Sequence, residues 1–276
     1  MTQLQVQRAV TLPKISWEKL PDDFALPDQP VENNFQPLLA AALRESLELA
    51  GLILESMLIA SNFGICATVA DQKVVKAPDW IYVRSVNPIP ENEVRRSYTP
   101  RIEGDLPTIA IEFVSETDGG EYSINPHYPY GKWYFYEQIL QVPIYAIFHP
   151  KASILEVYSL IDRSGDQKYE MQIPDQYGRY WIEPLGLFLG IWRGTKGAAS
   201  GNWLRWWDRE DNLLLWGFEL VQLERQRAEQ ERQRAEQAES LLRESIQSQQ
   251  RLLEQLSSLS PAQLKGLGID LNSQDI

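Results

Sequence analysis

The sequence has very little of the residues that build disulfides and zinc sites. Its 276 residues include one cysteine, Cys66, and two histidines, His127 and His149. A single cysteine cannot form an intrachain disulfide, and isolated histidines do not supply the grouped nitrogen and sulfur ligands that zinc takes. We therefore expect neither a disulfide framework nor a zinc site, and the cysteine usage fits a reducing compartment.

Long apolar runs are missing as well. No segment approaches the roughly 18 consecutive apolar residues of a membrane-spanning helix. The opening stretch, MTQLQVQRAVTLPK, lacks the apolar region of a secretory signal. The expectation is a cytoplasmic protein with no membrane partner.

Positive charge is scarce. The chain has 26 Lys and Arg against 38 Asp and Glu, which gives a net charge of −12. Tight nonspecific binding of nucleic acid relies on a basic surface, so this composition argues against it. It leaves open a site that meets phosphates through bound cations. In contrast, apolar residues make up 43% of the chain, with nine tryptophans, which is enough for a substantial core.

Composition divides the chain into four segments. Residues 1–33 are rich in Pro and Asp and are expected to be an irregular lead-in, 34–217 form the main domain, 218–259 form a long charged helix, and 260–276 form a tail. In the main domain, helical and strand-like patterns follow one another. This order predicts an α/β fold with a mixed central sheet flanked by helices, and with further antiparallel strands.

Several elements of the main domain can be placed individually. Leu39, Leu43 and Leu47 recur at helical spacing, which predicts a helix. DWIYVRSV and PTIAIEFVS predict strands, the first starting at Asp79, and KWYFYEQIL predicts a helix. The stretch NWLRWWDREDNLLLWG predicts a hairpin with REDN at its tip, whose tryptophans we expect to be packed inside the domain and not to form a platform for stacking bases.

The C-terminal segment contains the unit ERQRAEQ twice, over residues 224–237. It holds strong helix formers with Glu-to-Arg pairs three residues apart. The heptad position of Val221 continues through Ala228, Ala235 and Leu242, but a coiled coil takes two apolar positions in each heptad. Two interpretations stay open: a long solvated helix, or a coiled coil that pairs two protomers into a homodimer, favoured by the more apolar stretch Leu241–Leu256.

Asp79 and Glu112 are two carboxylates on strands whose apolar character predicts burial in the core. A buried carboxylate is costly unless it is neutralised, and two together repel unless a cation lies between them. Mg²⁺ fits such a place, since it takes one or two protein carboxylates plus waters and substrate phosphates. The backbone carbonyl of Phe113 would be a third oxygen, and a lysine such as Lys132 could reach the same spot. The alternative is structural: Asp79 as a turn or cap residue after Pro78, and Glu112 with Lys132 as a buried ion pair.

These motifs resemble those of a known family. Pro78-Asp79, then the strand IAIEFVS with Glu112, then Lys132 before YFYEQILQVPIYAIFHP, are similar to the Uma2 family of endonucleases, which belongs to the PD-(D/E)XK superfamily. The resemblance covers roughly residues 33–259. It implies a restriction-endonuclease-like fold, DNA as the partner, and a metal-dependent endodeoxyribonuclease using Mg²⁺ or Mn²⁺. Asp79, Glu112 and the Phe113 carbonyl would hold the metal, and Asp79, Glu112 and Lys132 would be catalytic.

The sequence departs from the superfamily pattern in two places. The common motif has its lysine two residues after the Glu, where this chain has Val114, so the lysine role moves to Lys132. The family often has an Asp shortly before that lysine, and the nearest acid in this loop is Glu121. A second interpretation of the function therefore stays open. In it, the protein has the nuclease fold, is catalytically inactive, and interacts with partners through its C-terminal helix.

Overall fold

A computed structural model describes residues 14–19, 34–114 and 120–260, together with 264 and 266. The chain divides into two compact units, residues 1–217 and 218–276. No helix among the described residues is long and apolar enough to cross a membrane. Most of the lead-in and of the tail lies outside the described residues, but Ile15–Ser16 in the lead-in form a short strand, β1.

A six-stranded sheet forms the centre of the first unit. Its strands are β2 (Leu58–Ala60), β5 (Trp80–Val83), β6 (Ile109–Phe113), β7 (Ile144–His149), β8 (Ile154–Arg163) and β9 (Asp166–Met171). They lie in the order β2-β5-β6-β7-β8-β9. The β6–β7 pair is parallel and the other neighbouring pairs are antiparallel, which confirms the predicted mixed sheet.

Both faces of the central strands β5, β6 and β7 are buried, because successive side chains of each strand enter two different cores. On β5, Trp80 and Tyr82 join one apolar cluster, and Ile81 and Val83 join the other. β6 and β7 alternate in the same way. Strands buried on both faces read as continuous apolar runs, which is why the sequence around β6 and β7 shows no polar alternation. Glu112 is the exception on β6.

Two smaller sheets complete the first unit. One contains β1, β3 (Ile65–Val69) and β4 (Gln72–Lys76), and the other contains β10 (Tyr180–Ile182), β11 (Leu187–Lys196) and β12 (Ala199–Trp207). The predicted hairpin at REDN is present but short. Trp207 and Leu213 form an antiparallel bridge, and Asp208 N–H donates to the carbonyl of Asn212, while β12 also pairs along its length with β11.

The predicted packing of the tryptophans is confirmed for Trp203, Trp206 and Trp216, which are fully buried. Two of them also anchor helix α1 (Gln36–Leu49) to the core. The indole N–H of Trp206 donates to the carbonyl of Leu43, and that of Trp216 to the carbonyl of Ala42. A buried indole needs such an acceptor, so these rings are structural and have no free face for a ligand.

A short helix follows the loop after β6. Helix α2 (Lys132–Tyr134) continues directly into a π-helical segment, Phe135–Ile139. The helix predicted for this stretch is therefore present, with a wider turn in its second half. Such π-turns are rare and occur often at functional sites.

The long helix α3 (Gly217–Ser257) begins at the boundary and continues through the second unit, and none of its residues is buried. The predicted pairs Glu224–Arg227 and Glu229–Arg232 form at 2.8 and 2.7 Å. Exposed pairs of this kind each contribute only a few tenths of a kcal/mol, about 0.3–0.5. The heptad repeat therefore supports the helix itself, whereas its leucines around 241–256 stay exposed.

Candidate active site

The strand register places Asp79 opposite Glu112. In the antiparallel β5–β6 pair, Trp80 faces Ile111, so continuing by one residue brings these two acids to neighbouring positions. Cβ atoms of directly opposed residues lie about 4.5–5.5 Å apart. The connection between the strands, residues 84–108, lies at the other end of the pair. Two acids that are 33 positions apart in the sequence therefore meet at one sheet edge.

Glu112 is fully buried, yet both of its carboxylate oxygens have donors. The ammonium of Lys132 lies 3.1 Å from Oε2. The hydroxyl of Tyr136 donates to Oε1 at 2.8 Å. Lys132 and Tyr136 are four residues apart on one helical segment, so both side chains lie on the face that covers β6. The sequence motif contained Tyr136, but its contact with Glu112 becomes visible only in the structure.

The start of α2 is held close to the preceding loop by Gly131. A Cβ atom at this position would lie 2.0 Å from the carbonyl oxygen of Ser123. The φ angle of Gly131 is −66°, so the reason for glycine here is the close approach of two backbones and not an unusual conformation. This approach sets where Lys132 leaves the loop and points toward Glu112.

Glu121 is a second buried acid beside the lysine. It lies on a short 3₁₀ turn, Gly120–Tyr122, and its Oε1 is 3.5 Å from the Lys132 ammonium. Its Oε2 is buried and has no hydrogen-bond partner within the described part of the chain. The hydroxyl of Tyr145 fixes the turn by donating to the Glu121 carbonyl at 2.9 Å. The nearest acid in the loop thus reaches the lysine, although no local pattern predicts that it does.

The electrostatics follow from this burial. Desolvation raises the pKa of Glu112 above its usual range, although the charge of Lys132 and the Tyr136 hydroxyl act in the opposite direction. Burial lowers the pKa of Lys132, but the carboxylates of Glu112, Glu121 and Asp79 outweigh it, so its pKa is raised overall. Lys132 therefore stays a cation at neutral pH, with only 18% of its side chain exposed.

Two side chains form hydrogen bonds with the backbone of Phe113. Its N–H donates to Oδ2 of Asp79 at 2.5 Å, and its carbonyl accepts from the side-chain amide of Gln36 at 2.6 Å. Gln36 is buried at the start of α1, and with Asp79 it lines a cavity of about 40 Å³. The role of Gln36 was not predictable from the sequence, because nothing in its local pattern distinguishes it from an ordinary polar residue at a helix start.

The donor set suits a hard cation. Asp79, Glu112 and the Phe113 carbonyl are oxygen donors, and Mg²⁺ typically takes one or two carboxylates while keeping several waters. The unpartnered Oε2 of Glu121 adds a buried acceptor near the same lysine. Among the described residues there is no group of three or more His, Cys, Asp or Glu side chains arranged to hold an ion. These residues therefore fit an ion that completes its shell with water and substrate, and they do not form a closed cage.

The structure thus brings together the residues that the sequence singled out. Asp79 and Glu112 are cross-strand neighbours, Phe113 contacts Asp79, and Lys132 contacts Glu112. The two histidines lie apart from this cluster of contacts: His127 is in the loop before α2, and His149 ends β7.

Comparison with known proteins identifies a family for this chain. A family model described as "Uma2: Putative restriction endonuclease" matches residues 25–196. No curated protein and no solved structure matches the chain. The matched range contains the whole β5–β6 edge, α2 and the loop between them. The chain therefore belongs to the Uma2 family, a family whose description indicates a nuclease.

Proposed function

We propose that this protein is a metal-dependent endonuclease that hydrolyses DNA phosphodiester bonds at the Asp79–Glu112–Lys132 edge. The observation that carries the proposal is the fully buried Glu112, held by Lys132 and Tyr136 across from a second acid. A buried charge network of this kind costs stability, so a chemical role gives the reason for it.

Asp79, Glu112 and the Phe113 carbonyl would hold Mg²⁺ or Mn²⁺. Restriction-endonuclease-like families generally use divalent metals. When bound, such an ion activates water and neutralises charge that develops on a phosphodiester. Gln36 and Asp79 fix the Phe113 peptide, which keeps its carbonyl oxygen in one orientation.

Lys132 would act on the phosphate itself. Its ammonium is a point charge on a flexible stem, partly open to solvent, and it stays protonated because acids surround it. A cation aimed at the developing charge stabilises the transition state more than the ground state. Tyr136 is a positioning residue, since it holds Glu112 and does not face the substrate.

The test is cleavage of supercoiled plasmid and linear duplex with Mg²⁺ or Mn²⁺. Lys132→Ala should retain metal and DNA binding but lose about 100-fold in turnover, or about 3 kcal/mol. The matched control is Lys168→Ala, because Lys168 is an exposed lysine in a loose ion pair with Asp166. Cleavage by Lys132→Ala at the wild-type rate would remove the lysine from the mechanism, and inactivity of the wild type on every DNA would overturn the nuclease proposal.

A second candidate function is the inactive interaction protein that pairs through α3. The observation that favours it is the row of exposed apolar residues near the end of that helix: Leu241, Leu242, Ile246, Leu252 and Leu253. Leu242, Ile246 and Leu253 follow the alternating spacing of a coiled-coil seam, with Gln249 between them. Calorimetry with Mn²⁺ discriminates the two functions: a nuclease binds the ion and Asp79→Ala does not, whereas an inactive relative shows no heat in either protein. Sedimentation of the full chain tests the homodimer separately.

A further inference from the structure

Three aromatic rings line the same sheet edge beside the proposed catalytic cluster. The ring of Tyr122 neighbours the rings of Trp133 and His149, with centroid distances of 6.4 and 6.1 Å and interplanar angles of 24° and 25°. We call these three residues the aromatic shelf. Tyr122 is 39% exposed, and Trp133 and His149 are half-buried. The shelf therefore presents ring surface to solvent, unlike the buried tryptophans around α1.

The ring of Tyr122 is fixed in place. Its hydroxyl donates to Oε2 of Glu156 at 2.6 Å and lies 2.7 Å from Nε2 of His149. Burial and the neighbouring Glu156 carboxylate raise the pKa of this phenol, so it remains a neutral donor. Glu156 also accepts from Tyr158 at 3.1 Å. A ring tied at its tip loses little freedom when a ligand covers it, which favours binding.

The shelf borders the proposed site along the chain and across the sheet. Tyr122 follows Glu121, and Trp133 follows Lys132, so two of its members are the next residues after groups of the catalytic cluster. His149 ends β7, which runs parallel to β6 with Phe148 in register with Phe113. The 3₁₀ turn and the start of α2 thus each contribute one residue to the contacts around Lys132 and one residue to the shelf.

The chemistry of the shelf suits a base and not a phosphate. The Glu156 carboxylate at its tip would repel phosphate oxygens, and the chain as a whole carries −12. Exposed aromatic faces bind bases by stacking, whatever the base, because each base has a π-face. In duplex DNA the bases already stack on one another, so a base must be unpaired or extruded before it reaches a ring.

We propose that the aromatic shelf stacks an unpaired base next to the phosphate at Lys132, so that the preferred substrate is single-stranded DNA or DNA with unpaired nucleotides. The proposal rests on the proposed nuclease function for the identity of the ligand. It adds a substrate class that the catalytic residues alone do not specify.

The experiment measures binding by fluorescence anisotropy on the full chain, with Ca²⁺ in place of Mg²⁺, so that the carboxylates still hold a cation for the phosphates while cleavage is suppressed. The probes are a fluorescein-labelled oligothymidine and a labelled duplex of the same length. Tyr122→Ala should weaken binding of the single strand about tenfold, which corresponds to about 1.4 kcal/mol and lies within the range of one stacked base. Tyr122→Phe, which keeps the ring, should retain most of the affinity. Binding of the duplex should change little in either variant.

Two further proteins keep the result interpretable. Tyr122→Leu fills the same space without an aromatic face and should behave like Tyr122→Ala, with its folding checked by circular dichroism. Tyr177→Ala is the matched control, since Tyr177 is an exposed tyrosine in the β9–β10 loop. Its affinity for the single strand should equal that of the wild type.

The outcomes separate this inference from the nuclease proposal. If wild type and Tyr122→Ala bind the single strand with equal affinity, a base does not stack on the shelf. An equal loss of affinity for single strand and duplex would also contradict the proposal. If the wild type binds the single strand selectively through Tyr122 but cuts no DNA with Mn²⁺, the nuclease proposal is wrong and the stacking of a base on the shelf is supported. Cleavage of duplex and single strand at equal rates, with no effect of Tyr122→Leu on either, overturns the substrate class while the nuclease function holds.

Discussion

Replacing Lys132 by methionine should destabilise the first unit, because it removes the cation from a fully buried carboxylate. The side chain of Glu112 is 0% exposed and that of Lys132 18% exposed, and the two are 3.1 Å apart. Breaking a buried pair by removing one partner costs about 3–5 kcal/mol. Since the lysine is partly solvated, we expect the lower end, about 3 kcal/mol. For a unit of this size, that shift is about 6–12 °C in Tm.

The assay is urea unfolding followed by tryptophan fluorescence, with chelator present, because Trp80 and Trp206 are buried in the core. Lys168→Met is the control, since its pair with Asp166 is exposed on both sides, and it should cost less than about 0.5 kcal/mol. Glu112→Gln in the Lys132→Met background should recover most of the loss, because no unpaired charge remains buried.

The pH dependence provides a further check on the same pair. The pKa of Glu112 is raised by burial and is held down by Lys132, so it rises further in Lys132→Met. Between the unfolded pKa, about 4.3, and the raised folded pKa, the folded protein binds the extra proton. Stability therefore falls as the pH rises through this window, and in Lys132→Met the fall should extend to higher pH and be larger in total than in the wild type. A variant as stable as the wild type, or one whose loss Glu112→Gln does not reverse, would refute this reasoning.

Three other changes have expected outcomes. Mn²⁺ should raise the Tm of the wild type through selective binding to the folded form, and Asp79→Asn should abolish that shift; an unchanged shift would remove Asp79 from the metal site. Gly131→Ala should cost about 1–3 kcal/mol by overpacking against Ser123 and should slow cleavage, as measured by melting and by plasmid nicking; wild-type values in both would show that the loop yields easily. A chain that ends at Gly217 should stay folded by circular dichroism while any self-association weakens, and unfolding would place part of the core beyond that residue.

The sequence was most informative where a charge interrupts an apolar run. Glu112 and Asp79 were identifiable because a carboxylate in a buried strand is costly. The strands β5, β6 and β7 were predictable from their continuous apolar character, and the helix at Lys132 from its composition. The family resemblance, and not spacing, singled out Lys132 among the lysines of the chain.

The rest depends on contacts between distant segments. Gln36 lies 77 positions from Phe113, and its role exists only because α1 packs across the end of β6. Glu121 reaches Lys132 because the loop closes tightly at Gly131, which no local pattern encodes. The hairpin at REDN follows from its local sequence, whereas the long pairing of β12 with β11 depends on the sheet as a whole.

The connection between β5 and β6, residues 84–108, separates Asp79 from Glu112 and Lys132 along the chain. A chain cut there would leave Asp79 on one fragment, and Glu112 with Lys132 on the other. Since β5 lies between β2 and β6 in the sheet, rejoining the fragments requires the same strand pairing that brings the two acids together. Neither fragment would hold a complete site. DNA cleavage would therefore appear only when the two fragments reassociate, so its rate would measure their reassociation.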